Sequence, residues 1–173
     1  MNESNEKIDT IFYSRQIGTF GLNTMKKIIK MNIFIYGMRG VGIEVAKNIV
    51  LAGPKSLTIY DPNKSEMRDL TSNFFLNEDY IKKGYKRDES CILELSKLNP
   101  YVKINIMEGN DIINHIKITN KEQNLKYDVI VITEFLSKKF IIEIDELCRQ
   151  NEIGLIVACE LGIYGFFFGR FWK

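Results

Sequence analysis

The pattern of apolar and polar positions is clearest between Met31 and Gly53. Asn32 to Tyr36 is a short β-prone run, and a glycine-rich turn follows it. After the turn, Val41, Val45 and Ile49 recur every fourth residue with Ala46 and Val50 beside them, which gives a helix one apolar face. Gly53-Pro54 ends that helix, because glycine accepts a left-handed cap and proline cannot continue the ladder. Ser56 to Asp61 then reads as a second strand closing on an acid. Strand, turn, helix and strand in this order predict the opening βαβ unit of a doubly wound sheet, where phosphates rest on the helix N-terminus.

The same reading extends both ways. Asn5–Ile17, ending near Gly18, and Gly21–Ile29 read as short helices, and the cluster Tyr13-Ser-Arg-Gln-Ile17 lies in the first. Residues 1–30 thus form a helical arm, of the kind that packs on a neighbour, and 31–173 a Rossmann-like domain. Beyond Asp61, Pro62–Ser65 is a turn, Met67–Leu76 should bury its aromatic pair Phe74-Phe75, and Lys82–Arg87 reads as a solvated basic loop. Glu89–Leu98 is a helix with Ile92, Leu95 and Leu98 inward, stopped by Asn99-Pro100, and Val102–Met107 alternates as a strand. Asn114–Leu125 is polar and reads as a connection, with room for a short helix before it. Tyr127–Thr133 is nearly continuous apolar, as strands inside parallel sheets are. Ser137 caps a helix with Phe140, Ile141, Ile144, Leu147 and Cys148 on one face. Gly154–Cys159 is another buried strand, and the aromatic Gly165–Trp172 is expected to join the sheet antiparallel. The fold class is therefore α/β, a mostly parallel doubly wound sheet.

Composition changes this picture little. The chain has 173 residues, 45% of them hydrophobic and 27% charged, enough for one domain with a real core. A net charge of +2 is too small to argue for nucleic acid or a membrane surface as partner. Cys91, Cys148 and Cys159 have no metal spacing, and Cys91 and Cys148 fall at apolar helical positions that predict buried core. The polar start carries no signal-peptide core and no run approaches a membrane span, so a soluble cytoplasmic or nuclear protein is expected. His115, the only histidine, has no acidic or cysteine partner nearby in sequence and reads as structural. The aromatic Phe171-Trp172-Lys173 end reads as cut from something longer.

The turn itself departs from the dinucleotide fingerprint, which wants glycine at its first, third and sixth positions. Gly37 and Gly42 occupy the first and sixth, Gly40 the fourth, and Arg39 stands at the third, where glycine lets a pyrophosphate approach the backbone. Taken with Tyr13-Ser-Arg-Gln-Ile17, Gly37-Met-Arg-Gly-Val-Gly-Ile-Glu44, Ala46-Lys-Asn-Ile49, Leu70–Ile81, Leu98-Asn-Pro-Tyr-Val102 and Gly162–Phe168, the chain resembles the enzymes that activate ubiquitin and its relatives. More narrowly it is similar to their N-terminal, inactive adenylation half, of the ThiF type, over nearly its whole length.

That resemblance implies two paired Rossmann-like halves, of which only the other binds ATP and magnesium and adenylates the modifier's C-terminal glycine. In the active half the family carries a glycine-richer turn, an Arg-Gln segment, a Gly-Lys pair and a metal-binding aspartate. Here Arg39, Ser72-Asn73, Tyr85 after Gly84, and Thr133-Glu-Phe-Leu136 stand in their places, while Asp61, which would meet the ribose, is retained. The degenerate site is thus Gly37, Arg39, Gly40, Gly42 and Asp61, with no metal ligand and no cofactor of its own. Arg15 matches the family arginine that reaches across into the partner's ATP site, and Arg39 is expected to form a salt bridge within the domain. The partners implied are the active half and, through it, ubiquitin or a ubiquitin-like protein. A homodimer of the isolated chain through the face that half would cover is also possible. The small regulatory subunit of a SUMO-activating or neddylation-initiating enzyme fits the same residues. A stand-alone dinucleotide-binding domain using Asp61 is the reading from another class.

Overall fold

A computed structural model describes residues 8–121 and 126–171. The arm contains α1 (Ser14–Phe20) and α2 (Leu22–Ile28), joined at Gly21, whose φ of 79° only glycine adopts easily. Gly18 therefore does not end the first helix, and the predicted turns before Tyr13 lie partly outside the described residues. The core follows as β1 (Asn32–Tyr36), α3 (Gly40–Ala52), β2 (Ser56–Tyr60), a 3-10 turn (Met67–Thr71), α4 (Glu78–Lys82) and α5 (Arg87–Leu98). It continues through β3 (Lys103–Ile106), α6 (Ile112–Lys121), β4 (Val129–Ile132), α7 (Lys138–Gln150), β5 (Gly154–Leu161) and β6 (Tyr164–Arg170). The polar stretch from Asn114 is thus mostly helix, not connection; Ile112 and Ile116 are buried, which supplies the apolar stripe that its polar residues obscure.

The six strands lie in the order β3-β2-β1-β4-β5-β6, all parallel except the antiparallel β5–β6 pair, as expected. Two cores flank the sheet because alternate strand residues face opposite ways. Phe34, Ile130, Ile132, Leu155 and Val157 pack with Ile116 of α6 and Ile144, Leu147 and Cys148 of α7. Ile33, Ile35, Leu57, Ile59 and Val131 pack with Ile43, Ala46 and Val50 of α3 and Cys91 and Leu95 of α5. Each fully buried aliphatic side chain contributes about 1.5–3 kcal/mol. All three cysteines are free and buried, and burial pushes the Cys91 and Cys148 thiols up to about 11 and about 12, far from nucleophilic.

The arm is fastened to this body. Tyr13 is buried, and Asn99 donates to its hydroxyl at 3.0 Å and to the Val50 carbonyl at 2.9 Å. The Tyr13 ring lies where a Cβ on Gly53 would sit, so Gly53 is required both by its left-handed cap and by the arm. Met25 is fully buried. Among the described residues no helix is long and apolar enough to cross a membrane.

Candidate functional site

Strand order reverses between β1 and β4, so a crevice opens at their C-terminal ends, the place where ligands enter doubly wound sheets. Gly37 to Gly42 turns there from β1 into α3. Gly37 has a φ of 96°, and its N–H donates to the Tyr60 carbonyl at 2.8 Å. The buried Thr133 hydroxyl donates to the carbonyls of Tyr36 and Gly37, each at 3.0 Å, tying β4 to the turn. A Cβ on Gly42 would run into the Gly37 carbonyl, so this glycine serves close helix–strand packing. Gly40 is less constrained: its Cβ would meet only side-chain atoms, Glu160 Oε1 at 3.2 Å and Ser72 at 3.3 Å.

The surroundings of the turn are acidic. Arg39, Val41, Thr133, Glu134 and Glu160 line a cavity of about 310 Å³ at the N-terminus of α3. Glu134 lies against Gly37 and Glu160 against Gly40. Burial raises the Glu134 carboxyl above its usual range, Asp61 adds to this, and Arg39 and Arg87 oppose it. Arg39 is exposed, and among the described residues it makes no ion pair, so the expected salt bridge does not form. Arg15, on α1, is likewise exposed and unpaired among the described residues.

Asp61 faces inward. It is completely buried, accepting from the Met38 N–H at 3.0 Å and from the Asn63 N–H and side-chain amide at 2.9 and 3.1 Å. Arg87 completes the cluster. Its Nε donates to Asp69 at 2.8 Å, and its other nitrogens lie 3.6 Å from Asp61 and 3.7 Å from Glu66. Asp88 takes the Asp61 N–H at 2.9 Å, and burial raises its carboxyl. Arg87 is 3% exposed, which corrects the reading of Lys82–Arg87 as a solvated loop. Lys82 is the last residue of α4 and Arg87 the first of α5, where Glu89 accepts from the Lys86 N–H at 2.8 Å. The signal that finds Arg87 is the acid pair Asp88-Glu89, which marks a helix start. In a parallel sheet every crossover helix starts at the strands' C-terminal ends, so the first residue of α5 must approach the crevice.

Two other sequence readings change. Asn73 is buried and donates to the Cys91 sulfur at 3.1 Å while accepting from the Phe75 N–H at 3.0 Å. That inward turn leaves Phe74 90% exposed, against the expectation that Phe74-Phe75 is buried, while Phe75 packs on the core. His115 sits on α6 with Nε2 2.9 Å from the Tyr127 hydroxyl, and burial lowers its pKa.

Residues 13–171 match the ThiF family, and the chain belongs to it. It is 37% identical over 172 residues to Ubiquitin-activating enzyme E1 2 of Arabidopsis thaliana, spanning 98% of this chain and 15% of that protein. It is 36% identical over 176 residues to Ubiquitin-like modifier-activating enzyme 6 of Homo sapiens, spanning 99% of this chain and 16% of that one. The chain thus spans about 15% of the length of the curated relatives it matches. Among solved structures, E. coli MccB with MccA-N7isoASN superimposes with a TM-score of 0.76 at 18% identity, over 96% of this chain and 48% of that one. E. coli MccB with succinimide gives 0.75 at 18% identity, over 91% and 47%. These two structures bear on fold alone, and they agree with the Rossmann-like sheet.

Proposed function

We propose that this chain is the non-catalytic adenylation half of a ubiquitin-activating enzyme. In this reading it scaffolds the active half, which holds ATP and magnesium and adenylates the C-terminal glycine of ubiquitin. The observation that carries the reading is the charge around the glycine turn. Adenylation needs positive groups on the triphosphate to stabilise the developing charge. Here Glu134 and Glu160 flank the turn, Asp61 is committed to Met38 and Asn63, and Arg87 is neutralised by Asp69, Asp61 and Glu66. The residues present do not fit a nucleoside triphosphate. The same geometry argues against a stand-alone dinucleotide domain, whose ribose would need an accessible Asp61.

Arg15 is the residue assigned a part in chemistry. It stands in solvent on an arm fixed by Tyr13, so its guanidinium is free to reach a neighbouring subunit or domain. A planar fork delivered from a neighbour suits phosphate oxygens at a transition state. The human relative's name widens the modifier to a ubiquitin-like protein, and the small-subunit reading stays within the same activity. Three free cysteines suit a reducing cytoplasm or nucleus.

Calorimetric titration of the chain with ATP and magnesium tests the first part, and no binding is expected. Micromolar binding would overturn the non-catalytic reading. In the full-length enzyme, Arg15→Ala should slow ATP–pyrophosphate exchange by about tenfold or more with the melting temperature unchanged. Equal exchange rates would remove Arg15 from the chemistry.

A further inference from the structure

Helix α1 carries Arg15 yet buries none of its own seven residues. What holds it is polar and local. Tyr13, at its N-cap, and Gln16, three residues on, lie on one helical face, and both reach the last turn of α3. The Gln16 amide donates to the Leu51 carbonyl at 3.3 Å, while Asn99 joins the Tyr13 hydroxyl to the Val50 carbonyl. Carbonyls in the last turn of a helix have no partner within it, so they are ready acceptors for an element laid across them. Asn99 is itself fixed, since its side-chain oxygen accepts from the Tyr101 N–H at 3.1 Å.

A second clasp lies just upstream. One oxygen of Asp9 accepts from the N–H groups of Ile11 and Phe12 at 3.0 and 2.9 Å, and the other accepts from the Tyr101 hydroxyl at 2.7 Å. The Phe12 ring stands edge-on to Tyr13 and Tyr101, with centroids 4.9 and 5.2 Å apart. The arm from Asp9 to Gln16 is thus tied to the body at Val50, Leu51, Asn99 and Tyr101.

These tethers bracket Arg15. At about 100° per residue it falls on the side of α1 away from Tyr13 and Gln16, so one side of the helix anchors and the other presents the exposed guanidinium. A helix held for stability alone would bury an apolar stripe of its own. We propose that Tyr13, supported by Asn99 and Asp9, is a positioning residue that fixes the place and orientation of Arg15 for the neighbouring ATP site. This rests on the role proposed above for Arg15. A guanidinium on a loose arm must be ordered in every turnover, and a misplacement of about 1 Å can cost about a hundredfold in rate. A clasp already formed in the resting domain removes that cost.

The test is ATP–pyrophosphate exchange by the full-length enzyme with Tyr13→Ala, Arg15→Ala and both together. Tyr13→Ala removes the hydroxyl and the ring seated against Gly53. It should lower kcat by about tenfold and leave the KM for ATP unchanged, because the arginine acts on charge that develops in the transition state. The double variant should be no slower than Arg15→Ala, since an arm without its arginine has nothing left to place. Tyr13→Phe keeps the ring, and Asn99 keeps the Val50 carbonyl, so most of the rate should return. Asp9→Ala opens the second clasp without removing a buried side chain and should give a smaller loss, again absent in the Arg15→Ala background. A double variant slowed about a hundredfold would overturn the proposal and leave the role of Arg15 standing. So would a Tyr13→Ala enzyme at wild-type kcat beside a slow Arg15→Ala enzyme. A wild-type rate in Arg15→Ala would remove that role and the proposal with it.

Discussion

At the C-terminal ends of β1 and β2, charge lies inside this protein; along β6, aromatic rings lie outside it. Both regions invert the usual partition of side chains, and they differ in whether the inversion is resolved within the chain. Arg87, Asp61, Asp69 and Asp88 satisfy one another and nearby amides. Phe166, Phe167 and Tyr164 have no such cover. Buried charge that is fully paired needs nothing further, whereas an exposed apolar edge calls for another surface. The charged groups at the strand ends are thus satisfied within the domain, and the aromatic rings along β6 are not.

The comparison breaks most directly at Arg87. Arg87→Met leaves three acids without their cation and should cost about 3–5 kcal/mol, read as a lowered denaturation midpoint in urea. A loss below about 0.5 kcal/mol would mean that the acids are already solvated and the cluster is not closed. Next is the turn. Gly42→Ala forces a Cβ against the Gly37 carbonyl and should cost roughly 1–3 kcal/mol, while Gly40→Ala should fall within about 0.5 kcal/mol because Glu160 can swing away. Equal effects at both positions would show that the turn gives as a whole. A bulkier Gly40→Val should likewise cost less than Gly42→Ala, because the atoms it meets first are side chains.

The smallest effect concerns Glu134. Its carboxyl is raised by burial, so the folded state binds this proton more tightly than the unfolded state does. Stability from this group is therefore fullest at low pH and falls as pH rises from the ordinary carboxylate range through the raised value. Glu134→Gln should remove that fall, raising Tm at pH 7 and flattening the Tm–pH curve above the carboxylate range. An unchanged slope would place the titrating acid elsewhere, with Asp88 next in line.

Much of this was legible in the chain. The βαβ opening, the buried parallel strands, the Ser137 cap and the antiparallel aromatic strand follow from local periodicity and turn chemistry. Helix α6 was hidden because six of its ten residues are polar and its buried stripe is only Ile112 and Ile116. Arg87 was hidden because a basic run looks solvated when each residue is read alone, yet only its first members are. Phe74 failed for the converse reason: a buried Asn73 beside it took the inward position, which composition ranks wrongly.

The sequence by itself determined where most strands and helices fall and that Arg39 interrupts the glycine turn. These are properties of neighbours within a few residues, and backbone geometry and side-chain period act at that range. Tertiary structure alone decided that Asp61 turns inward to Met38, that Arg87 meets acids eighteen and twenty-six residues away, and that Glu134 and Glu160 close on one turn. Such contacts depend on which strand ends the sheet brings together. Burial then fixes their energetics, since a charge removed from water must find its partner wherever the fold has put it.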